Sequence, residues 1–229
     1  EMDATRNIIG LFDSNVENYD SWYDAESGRA VLETEAEMLR RVLPRGLGVE
    51  IGSGTCRFSG LLREERDIVC LDPSLRMLRH GYTRGRCIFA VAGVAEDTPL
   101  RSSYFSFAYM VTVIEFLHDP AMALKETWRI LKPGGVLAVL FIERESSWGK
   151  FYMEIARKGI DPILARARLY TAREVDELLA TSGFKVQKHL MSLAYPPLTV
   201  PPAPPEIYEE ACSDCGVTLT VAAKPKEFI

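Results

Sequence analysis

Apolar residues follow two different spacings along the chain. From Val31 to Leu43 they recur at steps of four, three and four, which places them on one face of a helix. These residues are Leu32, Ala36, Leu39 and Leu43. Elsewhere, apolar residues form short segments of strand length, bounded by turn-forming or charged residues. The predicted strands are Leu47–Ile51, Asp67–Leu71, Ile88–Val91, Phe105–Ile114, Val136–Ile142, Phe184–Leu193 and Val217–Ala223.

Capping residues predict three further helices. Ser74 can cap a short helix, and Asp119 directly before Pro120 marks the start of a second. Thr171 and Glu174 form a capping box that opens a third. We therefore expect helices between most of the strands.

This order of elements predicts the topology. Strands separated by helices indicate a parallel, doubly wound sheet with helices on both faces. The exception is the end of the chain, because the proline-rich segment Pro196–Pro205 cannot form a helix. We therefore expect an α/β fold with a mostly parallel seven-stranded sheet, the last strand antiparallel, and a small cap.

Charge and hydropathy narrow the class of protein. The formal net charge of −5 over 229 residues does not attract a phosphate backbone, so a small-molecule substrate is favoured over nucleic acid. The longest purely apolar run, Val136–Ile142, is too short to cross a membrane. No secretory signal is found, so the sequence predicts a cytoplasmic protein with reduced thiols. It does not indicate the oligomeric state. The cysteines are Cys56, Cys70, Cys87, Cys212 and Cys215.

The strongest chemical signal is the segment Val49–Gly54, at the end of the first predicted strand. Its glycines allow a tight turn and the close approach of a ligand. Asp72 ends the next strand, 18 residues beyond Gly54, where a carboxylate can accept both hydroxyls of a ribose. Each feature alone is also what an ordinary strand–helix turn looks like. Together, at this spacing, they predict a nucleotide-like ligand.

Two residues argue against a dinucleotide. Arg57 stands where the G-x-G-x-x-G fingerprint needs its third glycine. Glu50, directly before the glycines, would repel a pyrophosphate. A sulfonium ligand whose amino-acid tail carries an ammonium group suits this carboxylate better.

With these motifs in order, the chain resembles the class I S-adenosylmethionine-dependent methyltransferases, in particular the small-molecule enzymes similar to the ubiquinone/menaquinone-biosynthesis type. The motifs cover about Phe12 to Ile142. They are Phe12-Asp13 with Tyr19-Asp20-Ser21-Trp22-Tyr23, Glu50-Ile51-Gly52-Ser53-Gly54, Asp72-Pro73-Ser74 with Met77, Gly93-Val94-Ala95-Glu96-Asp97-Thr98-Pro99-Leu100, and Leu131-Lys132-Pro133-Gly134-Gly135.

The resemblance implies roles for particular residues. Glu50 and the glycines would hold the methionine part of S-adenosylmethionine, and Asp72 the ribose. The implied cofactor-binding residues are Tyr19, Glu50, Gly52, Ser53, Gly54, Asp72, Pro73, Met77, Ala95, Glu96, Val111 and Thr112. The chain is then one domain (1–229), comprising an N-terminal cap segment (1–30), a cofactor-binding half (31–142), a cap insertion (143–170) and the C-terminal half of the sheet (171–229).

The sequence also departs from the family pattern. Cys56 stands at the usual third glycine, Val94 and Ser106 replace two common aspartates, and Glu115-Phe116 replaces a frequent pair of histidines. The cofactor assignment tolerates these changes. A substrate cannot be carried over from a relative.

The expected chemistry is an in-line displacement at the sulfonium methyl group, leaving S-adenosylhomocysteine. A general base is needed only if the nucleophile arrives protonated. Glu115 and His118 are the candidates, while Asp119 is better explained as a helix cap. The candidate substrate-binding residues are Trp22, Tyr23, Glu143, Trp148 and Tyr152. The aromatic residues of this set lie in the cap segments, where their ring faces could contact an apolar or cationic substrate. Packing of the cap onto the sheet is the simpler explanation of those aromatic residues.

Three alternatives stay open at this point. Cys212 and Cys215 have the spacing of half a zinc site, for which His189 and Cys56 are the remote candidates, although loop cysteines are the simpler interpretation and no metal is predicted. The altered histidine pair is also compatible with a non-catalytic cofactor-binding module or sensor. A methyltransferase of RNA or protein is the third alternative, against which the negative charge counts.

Overall fold

The computed structural model describes the chain from residue 2 to residue 226, with the backbone alone at residues 2–4. Its strands are β1 (Gly46–Ile51), β2 (Arg66–Asp72), β3 (Phe89–Ala92), β4 (Phe105–Val111), β5 (Leu131–Ile142), β6 (Lys185–Ser192) and β7 (Val217–Ala223). Its helices are α1 (Met2–Ser14), α2 (Val16–Trp22), α3 (Glu26–Val42), α4 (Arg57–Leu62), α5 (Leu75–Thr83), α6 (Pro120–Ile130), α7 (Ser147–Arg157) and α8 (Ala172–Thr181), with 3₁₀ turns at Ile114–Phe116 and Leu164–Arg166.

The strands form one seven-stranded sheet in the order β3-β2-β1-β4-β5-β7-β6. Strands β1 to β5 pair in parallel, whereas β7 lies antiparallel between β5 and β6. The predicted fold class is therefore confirmed, including the antiparallel last strand. The proline-rich segment before β7 forms no helix, as expected.

The sheet is covered on both faces, which β4 demonstrates by alternation. Phe107 and Tyr109 point into the core beneath α3, while Ala108 and Met110 point into the opposite core beneath α6 and α8. All four side chains are fully buried. A strand buried on both sides reads as a continuous apolar run, and this explains the sequence of β4.

The helix starts predicted from capping residues are confirmed. The Ser74 side chain accepts a hydrogen bond from the backbone N–H of Met77 (3.1 Å). Asp119 caps α6 in the same way, with Pro120 in its first turn. Thr171 opens α8 with a complete capping box.

Several predicted boundaries were wrong. The fourth strand ends at Val111 rather than Ile114, because Thr112 adopts a left-handed φ of +50° that breaks the extended backbone. Helix α3 starts at Glu26, so the predicted cap segment 1–30 includes the first turn of a core helix. Helix α4 was not predicted, since its six residues are too few to show a clear period.

Asp20 anchors α2 to the helices that follow β1 and β2. Its carboxylate is 5% exposed and accepts hydrogen bonds from Arg86 (2.7 Å), Arg57 (2.9 Å) and the hydroxyl of Thr55 (2.7 Å), with His80 at 3.1 Å. Burial alone would raise the pKa of this carboxyl, but the arginine hydrogen bonds outweigh it and hold the pKa well below its usual range. One buried side chain thus connects α2 with α4 and α5.

None of the helices described between residues 2 and 226 is long and apolar enough to cross a membrane.

Removing the charge of Asp20 should destabilise the protein. We expect Asp20→Asn to lower the free energy of unfolding by about 3 kcal/mol at neutral pH, because the partly buried Arg86 loses its carboxylate partner and Arg57 keeps only the exposed Asp24. Urea titration measures the change. Asp24→Asn is the matched control: Asp24 pairs with the same arginine, Arg57, but its side chain is 65% exposed. Its expected cost is below about 1 kcal/mol.

The difference in stability between wild type and Asp20→Asn should also depend on pH. The depressed pKa of Asp20 means that its contribution is fully present above the unfolded-state pKa, about 3.9, and is lost as the pH falls toward the folded-state value. The difference in unfolding free energy between wild type and Asp20→Asn should therefore shrink by about 1 kcal/mol between pH 5 and pH 3. An equal difference at both pH values would contradict this assignment.

Candidate functional site

The glycine turn after β1 is built so that backbone faces the carboxyl edge of the sheet. Gly52 has φ +69°, and a Cβ atom placed on it would lie 2.5 Å from the side chain of Val113. The backbone N–H groups of Gly52 and Ser53 both donate to the carbonyl of Leu71 (2.8 and 3.0 Å), which ties the turn to β2. Side chains are therefore excluded from the surface that a ligand would approach.

Cys56 is the third residue of this turn with a positive φ, after Gly52 (+69°) and Gly54 (+52°). It has φ +63°, in the left-handed region, and precedes the first residue of α4. This conformation explains why glycine is the usual residue at this place in the family that the sequence resembles. The thiol side chain accepts the backbone conformation at some energetic cost.

Asp72 connects the glycine turn with the start of α5. Its Oδ2 accepts from the N–H of Gly54 and its Oδ1 from the N–H of Ser74, both at 2.8 Å. Burial raises the pKa of the carboxyl to about 6, in spite of these two bonds. Each oxygen keeps a further lone pair for a hydroxyl donor.

Glu50 is buried at the end of β1, directly before the turn. Its Oε2 accepts from the Tyr109 hydroxyl (2.7 Å), from the Ser59 N–H (3.1 Å) and from the Ser59 hydroxyl. Burial raises the pKa of this carboxyl to about 7. Together with Ser53 it borders a small hollow of about 10 Å³ behind the turn.

A cavity of about 530 Å³ extends from the glycine turn to the cap, within the usual size of ligand pockets. Most of the predicted residues line it. These are Tyr19, Gly52, Gly54, Asp72, Pro73, Met77, Ala95, Glu96, Val111 and Thr112 among the predicted cofactor contacts, and Trp22, Tyr23, Trp148, Tyr152 and His118 among the predicted substrate and catalytic residues. The structure thus brings together residues from both cap segments and from four strand ends.

Glu115 and Glu143 do not line this cavity. Glu115 is buried in the 3₁₀ turn after β4, where its Oε1 accepts from the N–H of Ile142 (2.9 Å) and its Oε2 has no hydrogen-bond partner in the described structure. Burial raises its pKa to about 7. Glu143 accepts from the N–H of Ala172 (3.0 Å) at the start of α8. Glu115 thus holds the backbone at the end of β5, and Glu143 holds the backbone at the start of α8.

Aromatic side chains line the part of the cavity next to the two cap segments. Tyr19 stands against Tyr23 at 5.8 Å between ring centroids, and Trp148 against Tyr152 at 6.2 Å. The Trp148 indole N–H donates to the carbonyl of Tyr195 (2.7 Å). These four rings therefore pack against one another and also line the cavity.

Glu35 is a cavity residue that sequence reasoning missed. It lies on the buried face of α3 and is 3% exposed. A signal was present: Glu35 is three residues after Leu32 and four before Leu39, so a single acid interrupts the apolar face of this helix. Burial raises the pKa of its carboxyl to about 8.

The prediction of reduced thiols was wrong for two of the cysteines. Cys212 and Cys215 form a disulfide in the structure, since the tight loop between them brings both sulfurs together. Asp214 in this loop accepts from the N–H of Ser147 (2.7 Å) at the start of α7. The bridged loop is thereby attached to the cap insertion.

The other three cysteines lie together beneath the glycine turn. The sulfur atoms of Cys56, Cys70 and Cys87 are within 4.8 Å of one another, and all three residues are buried. They form a small core of their own with Leu78. Cys56 belongs to the turn, Cys70 to β2 and Cys87 to the segment before β3, and their spacing in sequence did not indicate that they would meet.

Comparison with known proteins bears on this arrangement. A family model described as a methyltransferase domain matches residues 49–139. A crystal structure of a SAM-dependent methyltransferase of Thermotoga maritima, described as a possible histamine N-methyltransferase, matches with a TM-score of 0.85 and 32% identity. The match covers 95% of this chain and 99% of that one.

Two curated sequences add to this comparison. An uncharacterised protein of Mycobacterium tuberculosis is 38% identical over 184 residues, covering 78% of this chain and 61% of that protein. The chain therefore spans less than two thirds of that relative's length. The malonyl-[acyl-carrier protein] O-methyltransferase of Pectobacterium atrosepticum is 30% identical over 109 residues, 46% of this chain and 43% of the enzyme.

Removing the carboxylate of Asp72 should weaken cofactor binding. We expect Asp72→Ala to reduce the affinity for S-adenosylhomocysteine by about 1–3 kcal/mol, through the loss of charged hydrogen bonds to the ribose. Isothermal titration calorimetry measures it. Asp67→Ala changes an exposed aspartate at the opposite end of β2 and should leave the affinity unaltered. Equal affinities for all three proteins would overturn this placement of the ribose.

Proposed function

The chain belongs to the class I S-adenosylmethionine-dependent methyltransferases, and from this premise we propose that it transfers a methyl group from S-adenosylmethionine to a small molecule bound in the cavity. One observation carries the proposal. A single cavity reaches from the bare backbone of the glycine turn and Asp72 to the aromatic cap. Cofactor and acceptor can therefore lie side by side in one enclosure.

The residues of the turn fit S-adenosylmethionine. Gly52 leaves bare backbone at the cavity, since a Cβ atom there would collide with Val113, and Asp72 presents a carboxylate to the adjacent wall. We propose that Asp72 binds the ribose, and that Ala95 and Glu96 flank the adenine. A negatively charged wall suits a cofactor that carries a sulfonium and an ammonium group.

A pyrophosphate does not fit the same place. Arg57 stands at the position of the missing third glycine, and its guanidinium donates hydrogen bonds to Asp20 and Asp24. It lines the small hollow next to the turn but not the main cavity. Among the described residues, no lysine or arginine lines the main cavity. This supports the methyltransferase proposal over a dinucleotide-dependent reaction.

In the proposed reaction the methyl group arrives already activated on the positively charged sulfur. The acceptor atom's lone pair forms the new bond to the methyl carbon while the carbon–sulfur bond breaks, its electron pair remaining on sulfur. The protein contributes proximity, alignment and exclusion of water. The cap helices α1, α2 and α7 supply that exclusion, since residues of all three line the cavity.

Of the two candidate general bases, His118 is the one that borders the cavity. We propose that His118 receives the proton when the acceptor arrives protonated. Glu115 is engaged with the backbone of Ile142 and acts as a positioning residue for the end of β5. A small-molecule acceptor suits a cavity closed over by cap helices better than an RNA or a protein.

Labelled S-adenosylmethionine tests the proposal. We expect the protein, incubated with it and with a cell extract, to place label in the low-molecular-weight fraction, and Asp72→Ala to reduce the rate at limiting cofactor. Histamine should be included as a defined acceptor, because the Thermotoga maritima relative is described as a possible histamine N-methyltransferase.

The other outcomes are equally informative. Label in RNA or protein alone would reject a small-molecule acceptor. Tight binding of S-adenosylhomocysteine without transfer into any fraction would instead indicate a binding module or sensor.

A further inference from the structure

The acceptor end of the cavity contains a carboxylate that the fold does not use. Glu35 lies on the face of α3 that packs against the sheet, four residues after Val31, and both side chains line the cavity. Helical positions of this kind are ordinarily apolar. Glu35 therefore needs an explanation other than packing.

No partner within the protein accounts for this side chain. Within residues 2–226, the carboxyl group of Glu35 makes no hydrogen bond and no ion pair, although the residue is only 3% exposed. A protonated carboxyl would still need an acceptor for its O–H, and a carboxylate would need a donor or a cation. The missing partner must come from the cavity.

Aromatic side chains line the same cavity as this carboxyl. Burial raises the pKa of four tyrosine hydroxyls, and the negative charge of Glu35 adds to the rise at each of them. These are Tyr19, Tyr23, Tyr152 and Tyr195. Trp148 packs against two of the rings, Tyr152 and Tyr195. A carboxylate among aromatic faces is the arrangement that binds an ammonium group, by charge and by cation–π attraction.

The charge of the whole cavity wall points in the same direction. Its titratable residues are Glu35, Asp72, Glu96 and Asp161 with His118 and the tyrosines, and no lysine or arginine of the described chain belongs to it. A carboxylate or phosphate acceptor would meet no lysine or arginine in this wall. A cationic acceptor would be attracted by its carboxylates.

Glu35 lies on α3, outside the cofactor motifs of the sequence. The charge of Glu115 raises the pKa of Glu35, whereas the charges of Glu50, Asp72 and Glu35 all raise the pKa of Tyr19. Tyr19 itself lies 3.6 Å from the place of a Cβ atom on Gly54. Tyr19 therefore lies next to the glycine turn and lines the same cavity as Glu35.

Resting on the proposed methyl transfer, we propose that the acceptor is a small amine, and that Glu35 binds its ammonium group inside the box formed by Tyr19, Tyr23, Trp148 and Tyr152. Glu35 then determines substrate specificity. The acceptor must be small, because it shares about 530 Å³ with the cofactor.

Calorimetry on protein saturated with S-adenosylhomocysteine tests this inference. The probes are alkyl and arylalkyl amines of increasing size, each matched with its neutral alcohol and with a carboxylate of similar shape; 2-phenylethylamine, 2-phenylethanol and 3-phenylpropanoate form one such set. We expect binding by amines alone. Glu35→Gln should weaken that binding by about 10- to 100-fold, the effect of losing a charged hydrogen bond, and leave the affinity for S-adenosylhomocysteine within about twofold.

Glu33→Gln provides the matched control, since Glu33 is an exposed acid on the same helix. It should change neither affinity. Thermal unfolding checks the fold: Glu35→Gln should be at least as stable as wild type at neutral pH, because burial disfavours the charge that it removes.

Each remaining result decides against a stated idea. Binding of S-adenosylhomocysteine with no amine bound, or with alcohols and carboxylates bound equally well, overturns the amine proposal and leaves methyl transfer intact. A loss of S-adenosylhomocysteine affinity in Glu35→Gln as large as that in Asp72→Ala would assign Glu35 to the cofactor instead. Failure of wild type to bind S-adenosylhomocysteine would reject the proposed function itself.

Discussion

The buried ion network around Asp20 is the interaction on which the cavity depends. The sheet and its two layers of helices form a complete α/β core, but the N-terminal helices lie outside that core. Asp20 fixes α2 to α4 through Arg57, to α5 through His80 and to the segment before β3 through Arg86. Its neighbours Tyr19, Trp22 and Tyr23 thereby become walls of the cavity. Such a network fixes one orientation of a helix where apolar packing alone permits several.

The sequence was informative where local chemistry and long-range structure agree. The apolar run of β4, the cap of α5 and the glycine turn each depend on neighbouring residues, and each was predicted. The proline-rich segment before β7 also excluded a helix, so the antiparallel last strand followed from local properties. Most of the residues expected at the site border the cavity for the same reason: they follow strand ends, and parallel strands bring their ends to one edge.

What the sequence did not disclose depends on contacts between distant segments. Asp20 resembles any exposed helical acid until Arg57 and Arg86 are placed beside it. Glu115 was expected at the cavity because it follows a buried strand, but a left-handed residue, Thr112, turns the chain and directs that carboxylate toward β5. Glu35 was not predicted because the apolar period of α3 is defined by its hydrophobic residues, and a single acid on the same face does not change that period.

The position of β7 has a consequence for how the molecule is assembled. This strand comes last in the chain among those described, yet it lies inside the sheet, so β5 and β6 have no common partner until it inserts. The residue before it, Gly216, admits the ring of Trp148 where any Cβ atom would collide at 2.4 Å. The aromatic wall is thus completed by the same event that closes the sheet. A nascent chain acquires its glycine turn early and its place for the acceptor only when synthesis has passed the final strand.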